Sequence, residues 1–162
     1  DDCTYFPLHT DLEKKSVVLC NTGAKLEKLF DAYLAEASGK NCSVIAFGKS
    51  GGSNKVVHQF NEAESAVLLT KFQEFAFMSK KSEIDALLLH SLPFPNVQGM
   101  YYDDKYPNTF ASFTIPITKK QLLESLCTFT AMSEGKKKTV YLFDSRMFTK
   151  DYGKEIVKPY VE

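Results

Sequence analysis

The chain has almost no arginine: Arg146 stands alone among 20 basic residues, and 20 acidic residues bring the formal charge to zero. That shortage argues against nucleic-acid binding. Guanine and phosphate are read by bidentate guanidinium forks within a basic field, and this chain has neither. Long hydrophobic runs are also missing, since stretches such as residues 86–89 fall far short of the roughly 20 apolar residues of a membrane span. No membrane span is expected. Histidine is scarce too: His9, His58 and His90 are neither spaced as i, i+4 nor set in an H-E-x-x-H run, so no metal site is read. Gly48-Lys49-Ser50 ends like a phosphate-binding loop, but the position that needs the first glycine is Ser43. No cofactor is expected.

Cysteine is sparse but informative. Cys3, Cys20, Cys42 and Cys127 make an even count with no C-x-x-C spacing, the pattern left by a disulfide framework rather than by a zinc or redox site. The chain opens Asp1-Asp2-Cys3 without methionine, and Asn41-Cys42-Ser43 spells a glycosylation acceptor at Asn41. A secreted, extracellular protein is therefore expected, with its signal peptide removed. Cys3 and Cys20 fall at the open end of an expected hairpin and are paired on that basis. Cys42 is then left for Cys127.

At 162 residues, 44% of them hydrophobic and 13% aromatic, the chain has the size and composition of one packed domain. Residues 4–8 and 16–20 read as the hairpin. Leu26, Leu29, Phe30, Tyr33, Leu34 and Ala37 recur at helical steps between Gly23 and Gly39. Residues 43–47 and 55–60 flank a Gly/Ser stretch and read as two strands. Asn61 with Glu64 resembles a capping box for a helix carrying Val67, Leu68, Phe72 and Phe75, and Ser82 with Asp85 opens a short helix to Leu89. The Tyr/Phe/Thr-rich residues 97–117 predict two strands. Thr118 with Gln121 starts a helix bearing Leu122, Leu123, Leu126 and Phe129; residues 139–143 are a strand and 156–161 an edge. The sum is a single α+β domain, mainly antiparallel, with three or four helices against the sheet and two disulfides.

Three functions compete on these residues. The leading one is binding of an extracellular protein partner, as an effector, inhibitor or interaction module. Tyr101, Tyr102, Tyr106 and Phe110 cluster around a Pro-Asn turn, and tyrosine gives large amphipathic contact area at low entropic cost. The second is serine hydrolysis. Gly48-Lys49-Ser50-Gly51-Gly52 matches G-x-S-x-G, so Ser50 would attack with His90 as base and Asp85, Asp103 or Asp104 orienting it. Against it, few strands precede the motif and the residues after it look more like strand than helix. The third is a carrier of a small apolar ligand, with Phe72, Phe75, Phe77 and Met78 lining a cavity. Adjacent carboxylates at Asp103-Asp104 lack the alternation of a calcium loop and read as solvated turn residues. Lys136-Lys137-Lys138 reads as a solvated turn for the same lack of context.

Overall fold

The computed structural model describes residues 14–75, 83–95, 110–132 and 138–161. In chain order the elements are β1 (Lys15–Cys20), α1 (Gly23–Ala37), β2 (Ser43–Ala46), α2 (Ser53–Glu62), β3 (Ala66–Lys71) and the single turn α3 (Phe72–Phe75). Then follow β4 (Ala86–Leu89), a π-helical turn (Phe110–Thr114), α4 (Ile115–Met132), β5 (Thr139–Leu142), α5 (Arg146–Thr149), α6 (Asp151–Val157) and a 3-10 turn (Lys158–Tyr160). The strands form one sheet in the order β2-β3-β1-β4-β5, and every adjacent pair is parallel.

An all-parallel sheet corrects the antiparallel α+β expectation: the protein is α/β. The physical reason lies in the central strands. Val17, Val18 and Leu19, Val67, Leu68 and Leu69, and Leu87, Leu88 and Leu89 are all buried, because helices cover both faces of the sheet. Such strands carry continuous apolar runs instead of the alternation that marks a one-sided sheet. Runs of this kind in residues 66–71 and 86–89 were open to a helical reading, and both are strands. Conversely, residues 55–60 belong to α2, where Val56 and Phe60 bury one face at a spacing of four. Asn61 lies in the last turn of α2, and the next element is the strand β3 rather than a helix.

Other expectations change at the edges. Residues 4–8, one arm of the expected hairpin, lie outside the described residues; β1 pairs with β3 and β4 instead. Of the strand pair expected over 97–117, residues 97–109 lie outside the described residues and 110–117 are helical. Residues 156–161 finish α6 and enter the 3-10 turn, with Pro159 in that turn's first positions, where its missing N–H costs nothing.

Handedness distributes the helices. The chain moves from β1 across β3 to β2, and every later crossover runs the opposite way along the sheet. Right-handed connections therefore put α1 on one face and the later helices on the other. The packing agrees: Leu26, Leu29 and Tyr33 of α1 meet Val18, Val67, Leu69 and Leu88. On the opposite face, Val56 and Phe60 of α2, Leu122 and Phe129 of α4 and Ile156 of α6 pack on Val17, Leu19, Leu68 and Leu87.

The two disulfides are likewise corrected. Cys20, Cys42 and Cys127 are free thiols. Cys42 packs beside the α1 face just before β2, whereas Cys127 is exposed on α4, across the sheet. The sheet between them excludes the Cys42–Cys127 bridge, since a disulfide needs Cα atoms within ~7 Å. Cys20 is buried, with its thiol directed at the carbonyls of Thr22 and Thr70; Cys3 lies outside the described residues. With the bridges goes the support they lent to an oxidising compartment.

Candidate cleft at the carboxyl edge of the sheet

In an open parallel sheet, neighbouring strands whose chains leave in opposite directions open a crevice at their carboxyl ends. Here β1 and β4 are those strands. From β1 the chain turns at Asn21 into α1, whose first turn is capped by Thr22 Oγ1 accepting from the Lys25 N–H at 3.2 Å. From β4 it continues through His90 to Pro95 on its way to α4. Beside them β3 ends at Lys71 and enters α3, where Glu74 accepts from the Lys71 N–H and the Thr70 hydroxyl, both at 3.2 Å.

A cleft of about 220 Å3 lies at this point, lined by Cys20, Asn21, Lys71, Phe72, Gln73, Phe94, Pro95 and Gln121. Its wall is held from two sides. Asn21 Nδ2 donates to Ser91 Oγ at 2.8 Å and to the Leu92 carbonyl at 2.9 Å, and Lys25 Nζ donates to the His90 carbonyl. From β5, Asp144 Oδ2 accepts the Leu92 N–H at 2.8 Å. Arg146 pairs with the same carboxylate at 2.6 Å and stacks its guanidinium on the Phe94 ring at 4.3 Å. Tyr152 meets Phe94 edge-on, its ring 5.9 Å away.

Burial and hydrogen bonding shift three titratable groups around the cleft. Burial pushes the Cys20 thiol up to about 11, only partly offset by Lys25, so it is a thiol at neutral pH. Burial, aided by the Lys25 charge, pushes His90 down to about 4, so its imidazole is neutral. Burial alone would raise the Asp144 carboxyl, but hydrogen bonds from Arg146 and from the Leu92 N–H outweigh it and hold the group below its ordinary value.

The hydrolase residues are not assembled. Ser50 follows β2 and His90 follows β4, and β3 and β1 lie between those strands, a separation of roughly 14 Å at the usual strand spacing. Asp85 precedes β4 at the opposite edge of the sheet, where it accepts from the Lys15 N–H and from Lys138. The motif does sit in a strand-turn-helix setting: β2 precedes it, as the sequence suggests, and α2 follows it in place of the strand expected over residues 55–60. Ser50 Oγ accepts the Ala46 N–H at 3.1 Å and so closes the turn. It also borders an open groove of about 760 Å3 along β2 and α2, shared with His58, Gln59 and Glu62.

The remaining candidates fall as follows. Tyr101, Tyr102 and Tyr106, with Phe77, Met78, Asp103, Asp104, Lys136 and Lys137, lie outside the described residues. Phe110 opens the π-helical turn. Phe72 and Phe75 are both core residues, Phe75 fully buried. Asn41 is exposed in the turn between α1 and β2. Lys138 is neutralised by Glu83 and Asp85 at 3.0 and 3.1 Å. Among the described residues no group of His, Cys, Asp and Glu could hold a metal, and no helix is long and apolar enough to cross a membrane.

Asn21, Lys71, Phe94 and the Asp144–Arg146 pair were not singled out from sequence, and Gln121 was read only as a cap. The signal for Asn21 was its place between a strand and a helix, which becomes meaningful once the sheet is known to be parallel.

No protein-family profile matches the chain, and no curated protein sequence does. Among solved structures, the C-terminal domain of S. cerevisiae Dbp5 bound to Gle1 and IP6 aligns over 90% of this chain and 84% of that one, at 15% identity and a TM-score of 0.36. So loose a likeness transfers neither fold nor function.

Proposed function

We propose that the protein is a binding domain for a protein partner, and that the carboxyl-edge cleft receives one polar anchor side chain of that partner. The cleft's size and lining carry this reading. At about 220 Å3 it is smaller than the roughly 300 to 1,000 Å3 of sites that enclose a whole small molecule. A pocket that takes one anchor residue suits a protein interface, where a few inserted side chains supply most of the affinity. Lys71 and the carboxamides of Asn21, Gln73 and Gln121 offer hydrogen bonds, while Phe72, Phe94 and Pro95 provide apolar contact. The tyrosine-rich residues 101–110, read from composition as a recognition segment, follow Phe94 and Pro95 of the cleft wall a few positions later in sequence. The protonated Cys20 thiol and the hydrogen-bonded Asp144 carboxylate favour holding a partner over chemistry on it.

A displayed random-peptide library selected against the full chain tests the reading. Selected peptides are expected to lose affinity about tenfold or more on Lys71→Ala or Gln121→Ala, the cost of a buried polar anchor left unmatched. A selection that yields no binder, or binders indifferent to both substitutions, overturns it.

A further inference from the structure

The hydrogen-bonding capacity of the carboxyl-edge cleft specifies its occupant further, given that it receives a partner's anchor side chain as proposed above. Asn21 is the fixed point. Its Nδ2 donates to Ser91 Oγ at 2.8 Å and to the Leu92 carbonyl at 2.9 Å, and a carbonyl can only accept, so the amide nitrogen must face that wall. Both amide hydrogens are thereby used. What Asn21 has left to offer is Oδ1, an acceptor, to which none of the described residues donates.

Lys71 is the opposite case, a donor. It pairs with Cys20 in the β1–β3 ladder, so Asn21 and Lys71 stand at the same level on adjacent strands. Its ammonium carries three hydrogens and lies 3.7 Å from Glu74 Oε1, with the side chain 44% exposed, so its charge is met on one side while hydrogens remain for a ligand. Arg146, the one guanidinium of the chain, is already bound to Asp144. Gln73 on α3 and Gln121 on α4 complete the polar lining, and each carboxamide can donate or accept. Among the described residues no carboxylate lines the cleft.

We infer that the anchor is a side-chain carboxamide, from a glutamine or asparagine of the protein partner. A carboxamide has two N–H donors and an oxygen with two lone pairs, four valences in one plane. Lys71 donates to the oxygen, Asn21 Oδ1 accepts one N–H, and Gln73 and Gln121 match the remaining two. Every competing anchor leaves a group unmatched, at the cost of its desolvation. A carboxylate has no hydrogen for Asn21 Oδ1 and gains little from a lysine already paired with Glu74. An ammonium or guanidinium has no acceptor for Lys71 and meets its charge. A hydroxyl brings three valences to four polar groups. The apolar walls of Phe72 and Phe94 suit the methylenes that carry the carboxamide.

Peptides selected against the full chain from a displayed random library, then resynthesised with each position exchanged, give the test. Independent binders are expected to share one glutamine or asparagine. Exchange of that residue for Glu, Lys or Met is expected to weaken binding about tenfold or more, and these exchanges leave the protein itself untouched. On Lys71→Met the same exchange for Met is expected to cost about threefold or less, because the donor that met the amide oxygen is gone. A shared acidic, basic or hydroxyl residue in place of the carboxamide, a glutamate tolerated at its position, or an exchange that costs as much on Lys71→Met as on the wild type overturns the inference while the binding reading stands. A selection without binders overturns both.

Discussion

The carboxylate of Asp144 joins β5 to the segment after β4, accepting the Leu92 N–H at 2.8 Å while its own charge is met by Arg146 at 2.6 Å. The side chain is only 5% exposed, so it bonds under low screening. Asp144→Ala leaves the Leu92 N–H without a partner and frees Arg146 from its carboxylate. The expected cost is about 3 kcal/mol in urea unfolding, with Asp144→Asn costing less because it keeps an acceptor for Leu92.

Gly153 is a packing requirement. A Cβ there would lie 2.0 Å from the Arg146 carbonyl oxygen and 2.5 Å from its carbon, both backbone atoms of the neighbouring helical turn. No rotamer relieves that overlap, so α5 and α6 must separate. Gly153→Ala is expected to destabilise by about 3 kcal/mol and to lower the thermal midpoint. An unchanged melt would show that α6 can shift freely against α5.

His90 sets a pH dependence. Its folded value of about 4 lies below the ordinary 6.5, so the unfolded chain binds the proton more readily and stability rises with pH across that interval. The contribution is complete above pH 6.5 and is lost on acidification toward pH 4, amounting to about 3 kcal/mol. Asp144 acts in the same direction but in a lower window, below its ordinary 3.8. Urea titrations from pH 7 to pH 4 are expected to show the loss for the wild type and a flatter profile for His90→Phe.

The thiols give a direct chemical check on the fold. Without reductant or denaturant, iodoacetamide is expected to modify Cys127 quickly, because it is exposed, and Cys20 only on unfolding, because it is buried and protonated. Mass spectrometry that finds Cys42 and Cys127 in one disulfide-linked peptide would contradict the placement of those residues on opposite faces of the sheet.

The sequence by itself determined α1, through the helical recurrence of Leu26, Leu29 and Tyr33, and the apolar stripe of α4 through Leu122, Leu126 and Phe129. It also determined β5, where residues 139–142 carry strand formers near a sheet edge. The two helices have one wet and one dry face, and that contrast leaves a period in the sequence; β5 was legible from its strand formers alone. β3 and β4 have no such contrast: their residues are buried on both faces, so a continuous apolar run fits a strand or a helix until its neighbours are known. The cysteine count could not reveal pairing either, because a bridge depends on which face each thiol occupies. Only the tertiary structure decided the strand order, and strand order sets which residues meet. It separated Ser50 from His90 and brought Asn21, Lys71 and Gln121 to one cleft from three elements distant in sequence. Each is a long-range relation created by parallel pairing, and no local pattern of residues encodes it.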